Sequence, residues 1–327
     1  MIEIKNLTKI YGEKRAVDNI SFTVKQGEIL GFLGPNGAGK TTTMNIITGY
    51  IGATSGNVLV DGADTLDSPM ECKKKIGYLP EQPPLYMDMT VSEYLDFVFE
   101  LKSPKCDKKE HLKGIMDIVK ITDVKDRLIK NLSKGYKQRV GIAQALVGDP
   151  EILILDEPTV GLDPKQIIEI RNVIKQLGKN RTIILSSHIL PEVSAICERV
   201  IIINNGKIMA IDTPENLASK LSGDNRLMIR VEGMPSQIEK ALHTVEGILS
   251  IEGLGQKEDN TYDYIIEAQK GADIRKKVFS ALAKEEMPIL MSKTVGLSLE
   301  EVFLQLTTDE STSAEKIEEI ADEEGEK

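Results

Sequence analysis

The feature that most constrains the fold of this chain is a glycine-rich loop (the glycine loop), Gly34-Pro35-Asn36-Gly37-Ala38-Gly39-Lys40-Thr41. It matches the phosphate-binding pattern G-x-x-x-x-G-K-[ST] at every fixed position. An apolar run over residues 28–33 predicts a buried strand before the loop, and residues 41–49 predict a helix after it. This order brings backbone N–H groups and the positive end of a helix dipole to one anion. The sequence therefore predicts an α/β fold with a nucleotide site.

Two side chains of the glycine loop carry chemistry of their own. Lys40 brings a point charge to the outer phosphates, and Thr41 can place its hydroxyl on a magnesium ion. The alternative is a glycine-rich turn that binds nothing. The intact strand and helix patterns on either side disfavour that alternative, because they supply the context that the motif requires.

Composition limits the class of protein. The chain has 327 residues, of which 41% are hydrophobic, enough for about two domains with a sizeable core. No apolar run approaches the ~20 residues that span a bilayer, and the first residues lack the layout of a signal peptide. Three scattered cysteines, Cys72, Cys106 and Cys197, indicate neither a metal site nor a disulfide framework, so we expect a reducing cytoplasm.

The net charge of −10 is concentrated at one end of the sequence. Residues 308–327 hold nine acidic side chains and two lysines, and we expect them to form a solvated, disordered tail. The remaining charge of −3 excludes a globally basic nucleic-acid binder.

The residues before the glycine loop predict an antiparallel flap. Short strand patterns over residues 2–24 are separated by turns, as in Thr8-Lys9-Ile10-Tyr11-Gly12. Tyr11 is a flat aromatic that can stack on an adenine ring. Its other interpretation is a structural tyrosine on a half-buried strand, and spacing alone does not separate the two.

Residues 87–147 predict a helical insertion in an otherwise alternating α/β pattern. Gln82 lies just before it in a proline-containing loop that neither a strand nor a helix can continue. Thr90 and Glu93 form a capping box that opens the first helix. At the end of the block, Ser133 is a natural N-cap, and with Gly135 it forms a helix start that either binds an anion or simply begins the helix.

Two later strands end in polar side chains. Asp156 and Glu157 follow the apolar residues 152–155, at a carboxyl end where open α/β sheets bind ligands. Asp156 suits magnesium and Glu157 suits an attacking water, unless the pair only caps the next loop. His188 follows the strand pattern of residues 182–186 and is either structural or a partner of the γ-phosphate or the attacking water.

A second domain is predicted after a linker at residues 222–225. Its order is strand (226–231), helix (235–245), two strands around 253–260, helix (273–285), strand (289–295) and a closing helix (299–306). This order is typical of a small α+β domain of ferredoxin-like type. The predicted boundaries are therefore 1–221, 226–307 and an acidic tail at 308–327.

Taken in order, the motifs of residues 1 to about 220 resemble those of an ABC transporter ATPase. The resemblance implies a P-loop NTPase fold of ABC type with antiparallel flap and helical insertion, using ATP and Mg²⁺. It assigns Tyr11 to adenine stacking, Gly34 to Thr42 to the phosphate loop, Gln82 to the loop that senses magnesium and the membrane partner, and residues 132–136 to the signature segment that contacts ATP through Ser133 and Gly135. It also assigns Asp156 to the magnesium ligand, Glu157 to the catalytic base, Asp163 to a turn that communicates between subunits, and His188 to the switch histidine.

The resemblance also implies partners. In that family two subunits close head to tail over two ATPs and drive an integral-membrane permease from the inner face of the cell membrane, with no nucleic acid involved. Here the signature segment has Lys134 in place of a glycine and Tyr136 in place of a glutamine. Ser133 and Gly135 retain the hydroxyl and the unhindered backbone N–H, so phosphate contact is expected to survive.

The second domain and residues 298–304 make the whole chain similar to ATPases of ABC-2 type exporters, such as those for drug resistance, sodium extrusion or gliding motility. One alternative is a soluble ABC ATPase that acts on ribosomes or DNA without a permease. A single ATPase core, with neither a long coiled coil nor a basic linker, disfavours it. The other alternative, a nucleotide-binding regulator that never turns over, is disfavoured by the intact Lys40, Asp156, Glu157 and His188.

Overall fold

Strands make up much of the N-terminal part of the computed structural model, which describes residues 1–217, 226–269, 271–295 and 301–304. Along the chain, these strands are β1 (Ile2–Tyr11), β2 (Lys14–Val24), β3 (Ile29–Leu33), β4 (Ser55–Val60), β5 (Ala63–Asp64), β6 (Ile76–Leu79), β7 (Ile152–Asp156), β8 (Thr182–Ser187), β9 (Arg199–Asn204) and β10 (Lys207–Asp212). The helices among them are α1 (Lys40–Ile47), α2 (Pro69–Lys75), α3 (Val91–Lys102), α4 (Lys108–Val119), α5 (Lys134–Leu146), α6 (Pro164–Gly178) and α7 (Leu190–Ser194).

The ten strands form two sheets. The larger has the order β10-β9-β3-β8-β7-β6, and β9, β3, β8, β7 and β6 pair in parallel. Parallel strands are covered on both faces, which explains why all residues of β3, β7 and β8 are buried. The smaller sheet has the order β2-β1-β4-β5 and is antiparallel. It is the predicted flap, and it shares one hydrophobic core with the larger sheet.

The helical insertion lies between β6 and β7, as predicted. It contains α3, α4 and α5, with 3₁₀ turns at Thr122–Val124 and Ile129–Asn131. The Thr90 side chain accepts from the Glu93 N–H, and the Glu93 carboxylate accepts from the Thr90 N–H, so the predicted capping box is confirmed. None of the described helices is long and apolar enough to span a bilayer.

The second unit of the structure, Glu215–Gln305, follows the predicted order of elements. It contains β11 (Arg226–Glu232), α8 (Pro235–His243), β12 (Ile248–Glu258), β13 (Thr261–Ala268), α9 (Arg275–Lys284) and β14 (Ile289–Thr294). The four strands form an antiparallel sheet with the order β12-β13-β11-β14, and the helices contribute to a separate hydrophobic core. Residues 301–304 are helical. The predicted linker, the ends of the closing helix and the acidic tail lie outside the described residues.

Candidate functional site

The glycine loop joins β3 to α1 and has the backbone that its glycines allow. Gly37 and Gly39 have positive φ angles of 82° and 108°, which side-chain-bearing residues rarely adopt. A Cβ at Gly39 would lie 2.4 Å from the Ala16 carbonyl oxygen, so only glycine fits there. At Gly37 no atom lies within 4 Å of the Cβ position, so the loop is open on that side. The open side can accept a phosphate at the start of α1.

Lys40 is the first residue of α1 and its side chain is buried. Its ammonium donates to the carbonyl oxygens of Gly34, at 2.8 Å, and Pro35, at 3.3 Å. The same nitrogen lies 3.5 Å from Oε1 of Glu157. The charge is therefore held over the loop and faces the acidic end of β7, where it can pair with phosphate oxygens.

The acidic pair lies at the carboxyl end of β7, as predicted. Asp156 has no exposed surface, and Glu157 is also buried. Glu157 has a φ of 48°, in the left-handed region, so its side chain leaves the strand in a direction that a regular strand would not give. Burial raises the pKa of Asp156, and the hydroxyls of Ser186 and Thr41 oppose that rise.

Ser186 is a site residue that sequence reasoning missed. Parallel pairing places it beside Asp156, where its hydroxyl donates to Oδ1 of Asp156 and accepts from the Glu157 N–H at 2.9 Å. One hydroxyl thereby orients both acidic residues. The sequence showed Ser186 only as the end of a strand, because the register between β7 and β8 is not encoded locally.

His188 follows β8 and contacts the acidic pair directly. Its Nδ1 lies 2.8 Å from Oε2 of Glu157, and its side chain is 41% exposed. The Glu157 carboxylate is therefore flanked by His188 on one oxygen and by Lys40 on the other. A carboxylate and an imidazole in contact at the edge of an open pocket can orient a water and exchange protons with it.

The residues predicted to bind magnesium fit that ion. Oδ2 of Asp156 is buried and has no hydrogen-bond partner. Thr41 and Gln82 line the same cavity, of about 680 Å³, as Asp156. Carboxylate, hydroxyl and amide oxygens are hard ligands of the kind that Mg²⁺ takes, with water and phosphate completing its coordination.

A second cavity, of about 590 Å³, lies on the other side of Thr41. It is lined by the predicted adenine, phosphate and catalytic residues together, including Tyr11, Asn36, Gly37, Gly39, Lys40, Thr41, Thr42, Glu157 and His188. The Tyr11 side chain is 47% exposed, which leaves a ring face open for a base. The flap and the two strand ends thus form one nucleotide-sized pocket.

The signature segment does not line either cavity. Ser133 caps α5 by accepting from the Tyr136 N–H at 3.4 Å. Gly135 packs against Gln166 of α6, and a Cβ at Gly135 would lie 2.6 Å from the amide oxygen. The Tyr136 hydroxyl donates to Asp123 at 2.9 Å. The structure therefore assembles every predicted site residue except Ser133 and Gly135, which stand apart on the helical insertion.

Comparison with known proteins agrees with this geometry. The ABC transporter family model matches residues 17–160. The linearmycin resistance ATP-binding protein LnrL of Bacillus subtilis is 34% identical over 94% of this chain and 98% of its own length. The bacitracin transport ATP-binding protein BcrA of Bacillus licheniformis is 42% identical over 64% of this chain and 68% of its own.

Solved structures are similar over about two thirds of the chain. An ATP binding subunit of an ABC transporter has a TM-score of 0.62 and 28% identity, and the match covers 68% of this chain and 93% of that one. The dimeric post-hydrolysis state of the ATP-binding cassette MJ0796, bound to ADP and Pi, has a TM-score of 0.61 and 28% identity, covering 65% and 98%.

Proposed function

The chain belongs to the ABC transporter ATP-binding proteins, and on that premise we propose that it closes as a dimer over ATP and powers a separate membrane permease. As a member of this family it binds ATP with Mg²⁺ and is an ATPase.

The nucleotide-binding roles follow from the pocket. Tyr11 stacks on adenine, residues 34–42 hold the phosphates through their backbone N–H groups, and Lys40 pairs with the outer phosphate oxygens. Thr41, Gln82 and Asp156 hold the magnesium ion. When bound, that ion neutralises charge that develops on the outer phosphates.

The catalytic roles follow from the contacts of Glu157. Its carboxylate is buried between Lys40 and His188, so it is fixed in direction and can accept a proton from a water placed in line with the outer phosphate. His188 holds Glu157 by Nδ1 and faces the same cavity, where it can donate to the γ-phosphate or the water.

The position of Ser133 and Gly135 outside the pocket supports a dimer. The glycine loop and the two cavities beside it bring together the other predicted groups, whereas Ser133 and Gly135 line neither cavity and lie at the start of α5. A helix start with a serine hydroxyl and a glycine backbone N–H can bind an anion, and in a head-to-tail dimer a second copy would bring it to the γ-phosphate. The dimeric form of the similar cassette MJ0796 supports a dimer.

A surface beside the Gln82 loop supports a permease partner. Tyr86, Met87, Phe97 and Leu101 (the docking patch) are exposed apolar side chains on α3 and the loop before it. The rings of Tyr86 and Phe97 lie 5.3 Å apart and form one continuous patch. Clustered exposed apolar residues mark binding surfaces. Docking there would place the subunit on the inner face of the membrane, and the resistance and bacitracin transport relatives support export.

Changing Glu157 to Gln tests the assignment. The variant removes the proton acceptor but keeps the shape, so we expect ATP hydrolysis to fall by about 100-fold or more while ATP still binds. Bound ATP should then hold the dimer closed. Steady-state ATPase activity and light scattering with and without MgATP measure the two effects.

Lys40→Ala is the matched control, because it removes the phosphate contact and should give neither hydrolysis nor an ATP-dependent dimer. Hydrolysis by Glu157→Gln at the normal rate would contradict the role of Glu157. A monomer at saturating MgATP would contradict the dimer.

A further inference from the structure

Glu192 is a buried carboxylate that the chemistry above does not use. It lies in α7, four residues after His188, and only 5% of it is exposed. Burying a carboxylate is costly unless another group stabilises it, and an apolar side chain would fill the same space at lower cost. Its presence therefore points to a role beyond packing.

The Glu192 carboxylate forms a hydrogen bond with one side chain, the hydroxyl of Thr159. Oε2 of Glu192 accepts a hydrogen bond from Oγ1 of Thr159, which is itself only 3% exposed. Oε1 is buried and has no partner among the described residues. Burial raises the pKa of Glu192, while Thr159, Arg171 and His188 lower it and Glu157 raises it further. The Glu192 carboxylate is shielded from water, and the hydrogen bond from Thr159 is the direct contact that stabilises it.

Thr159 belongs to the turn that sets the direction of Glu157. The Val160 N–H donates to the Glu157 carbonyl at 3.2 Å, and the Leu162 N–H donates to the Thr159 carbonyl at 3.2 Å. Together with the left-handed φ of Glu157, these bonds define one compact turn over residues 157–162. A shift of Thr159 would therefore rotate the peptide that carries the Glu157 side chain.

Two hydrogen-bonding contacts join this turn to the segment after β8. One is the contact between Glu157 and His188 at the pocket, and the other is the bond between Thr159 and Glu192 beneath it. The first is partly exposed, because 41% of the His188 side chain is accessible and both residues line the pocket. The second is buried on both sides, so it can hold the turn in register with the histidine segment independently of the pocket.

We propose that Glu192 is a positioning residue that orients Glu157 for hydrolysis through its hydrogen bond to Thr159. The inference rests on the role proposed for Glu157 and adds a residue outside the pocket to the same reaction. Because the bond acts on the turn and not on the glycine loop, it governs turnover and leaves ATP affinity unchanged.

Thr159→Val is the sharpest test, since valine has the shape of threonine without the hydroxyl. A hydrogen bond to a charged group, when lost, corresponds to about a 10- to 100-fold fall in kcat if it acts fully on the reacting geometry. We expect kcat to fall in that range while KM for ATP stays within about twofold. Thr159→Ser and Glu192→Gln keep a donor and an acceptor and should recover most of kcat.

The double variant Thr159→Val, Glu192→Ala separates coupling from two independent defects. If the two residues act through one bond, its kcat should match that of the worse single variant. Glu198→Ala removes an exposed glutamate from the same segment and is the control, with kcat expected within about twofold of the wild type. Thermal unfolding of each variant shows whether it is folded.

The outcomes distinguish this inference from the proposed function. If Glu157→Gln is inactive but folded Thr159→Val keeps the wild-type kcat, the inference is wrong and the role of Glu157 stands. If kcat and KM for ATP change together, or Thr159→Ser is as slow as Thr159→Val, the contact is structural and the inference is again wrong. If Glu157→Gln hydrolyses ATP normally, the proposed function fails first.

Discussion

The Ser186 hydroxyl is the residue-scale feature on which both acidic residues depend. It donates to Asp156 and accepts from the Glu157 N–H, and all three groups are buried. Removing the hydroxyl leaves a buried N–H without a partner and deprives Asp156 of a donor, and an unsatisfied buried group costs more than the bond contributes.

Ser186→Ala is therefore expected to lower the free energy of unfolding by about 1–3 kcal/mol, measured by chemical denaturation. It should also raise the magnesium concentration that gives half-maximal ATP hydrolysis. Asp156 loses the hydroxyl that orients it, so its second oxygen is less well placed to hold the ion. Ser194→Ala is the control, since Ser194 is an exposed residue at the end of α7 and its hydroxyl donates to the Leu190 carbonyl of the same helix. Equal stability losses in the two variants would show that Ser186 has no special role.

At the scale of elements, α5 is the helix whose start is predicted to act in a second copy. Ser133 caps it, and Gly135 lies in its first turn against Gln166 of α6. Within one chain, an added methyl at Gly135 meets only the amide end of a flexible side chain. Alanine also favours a helix over glycine by about 0.5–1 kcal/mol, so the fold itself does not require this glycine.

Gly135→Ala should thus leave the free energy of unfolding within about 1 kcal/mol of the wild type and leave ATP binding unchanged. We expect it to abolish most ATP hydrolysis, because the methyl blocks the approach of a γ-phosphate bound to the partner copy. ATPase assays, nucleotide titration and denaturation together check this prediction.

The double variant Gly135→Ala, Gln166→Ala distinguishes two causes of lost activity. One is a clash of the new methyl with Gln166 in the same chain, and the other is a clash with the nucleotide bound to the partner copy. Truncating Gln166 removes the intramolecular neighbour, and activity should still be absent. Recovery of hydrolysis in the double variant would assign the loss to contact between α5 and α6.

At the scale of the whole molecule, the described residues form two units with separate hydrophobic cores. We propose residues 1–221 as the ATPase domain and 226–307 as an accessory domain, because described residues of each form a hydrophobic core of their own. The site and the docking patch both lie in the first domain, and the coupling to a permease is expected to operate there.

Leu101→Lys tests the docking patch on the complete assembly. Leu101 is 74% exposed, so the change should not disturb the fold or the ATPase activity of the isolated subunit. A lysine in an apolar interface is costly, and we expect loss of co-purification with the co-expressed permease. Leu249→Lys, at an exposed leucine of the second unit, is the control and should retain the permease. Equal recovery with both variants would exclude the patch as the docking surface.

Much of the architecture could be predicted because it is encoded locally. The strand before the glycine loop, the capping box of α3 and the Ser133 cap each depend on a few adjacent residues. The helix α2, the short strand β5 and the contact of Ser186 with the acidic pair were not anticipated. The first two are short and carry weak periodicity, and the third depends on the register of two strands.

The sequence by itself determined that a phosphate-binding loop, an acidic strand end and a histidine strand end occur in one α/β chain, because each motif is a run of adjacent residues. Only the tertiary structure decided how they meet. Parallel pairing of β7 with β8 brings Ser186 to Asp156 and His188 to Glu157, and it brings Glu192 beneath Thr159. Those contacts join residues about 30 positions apart, so no local pattern specifies them.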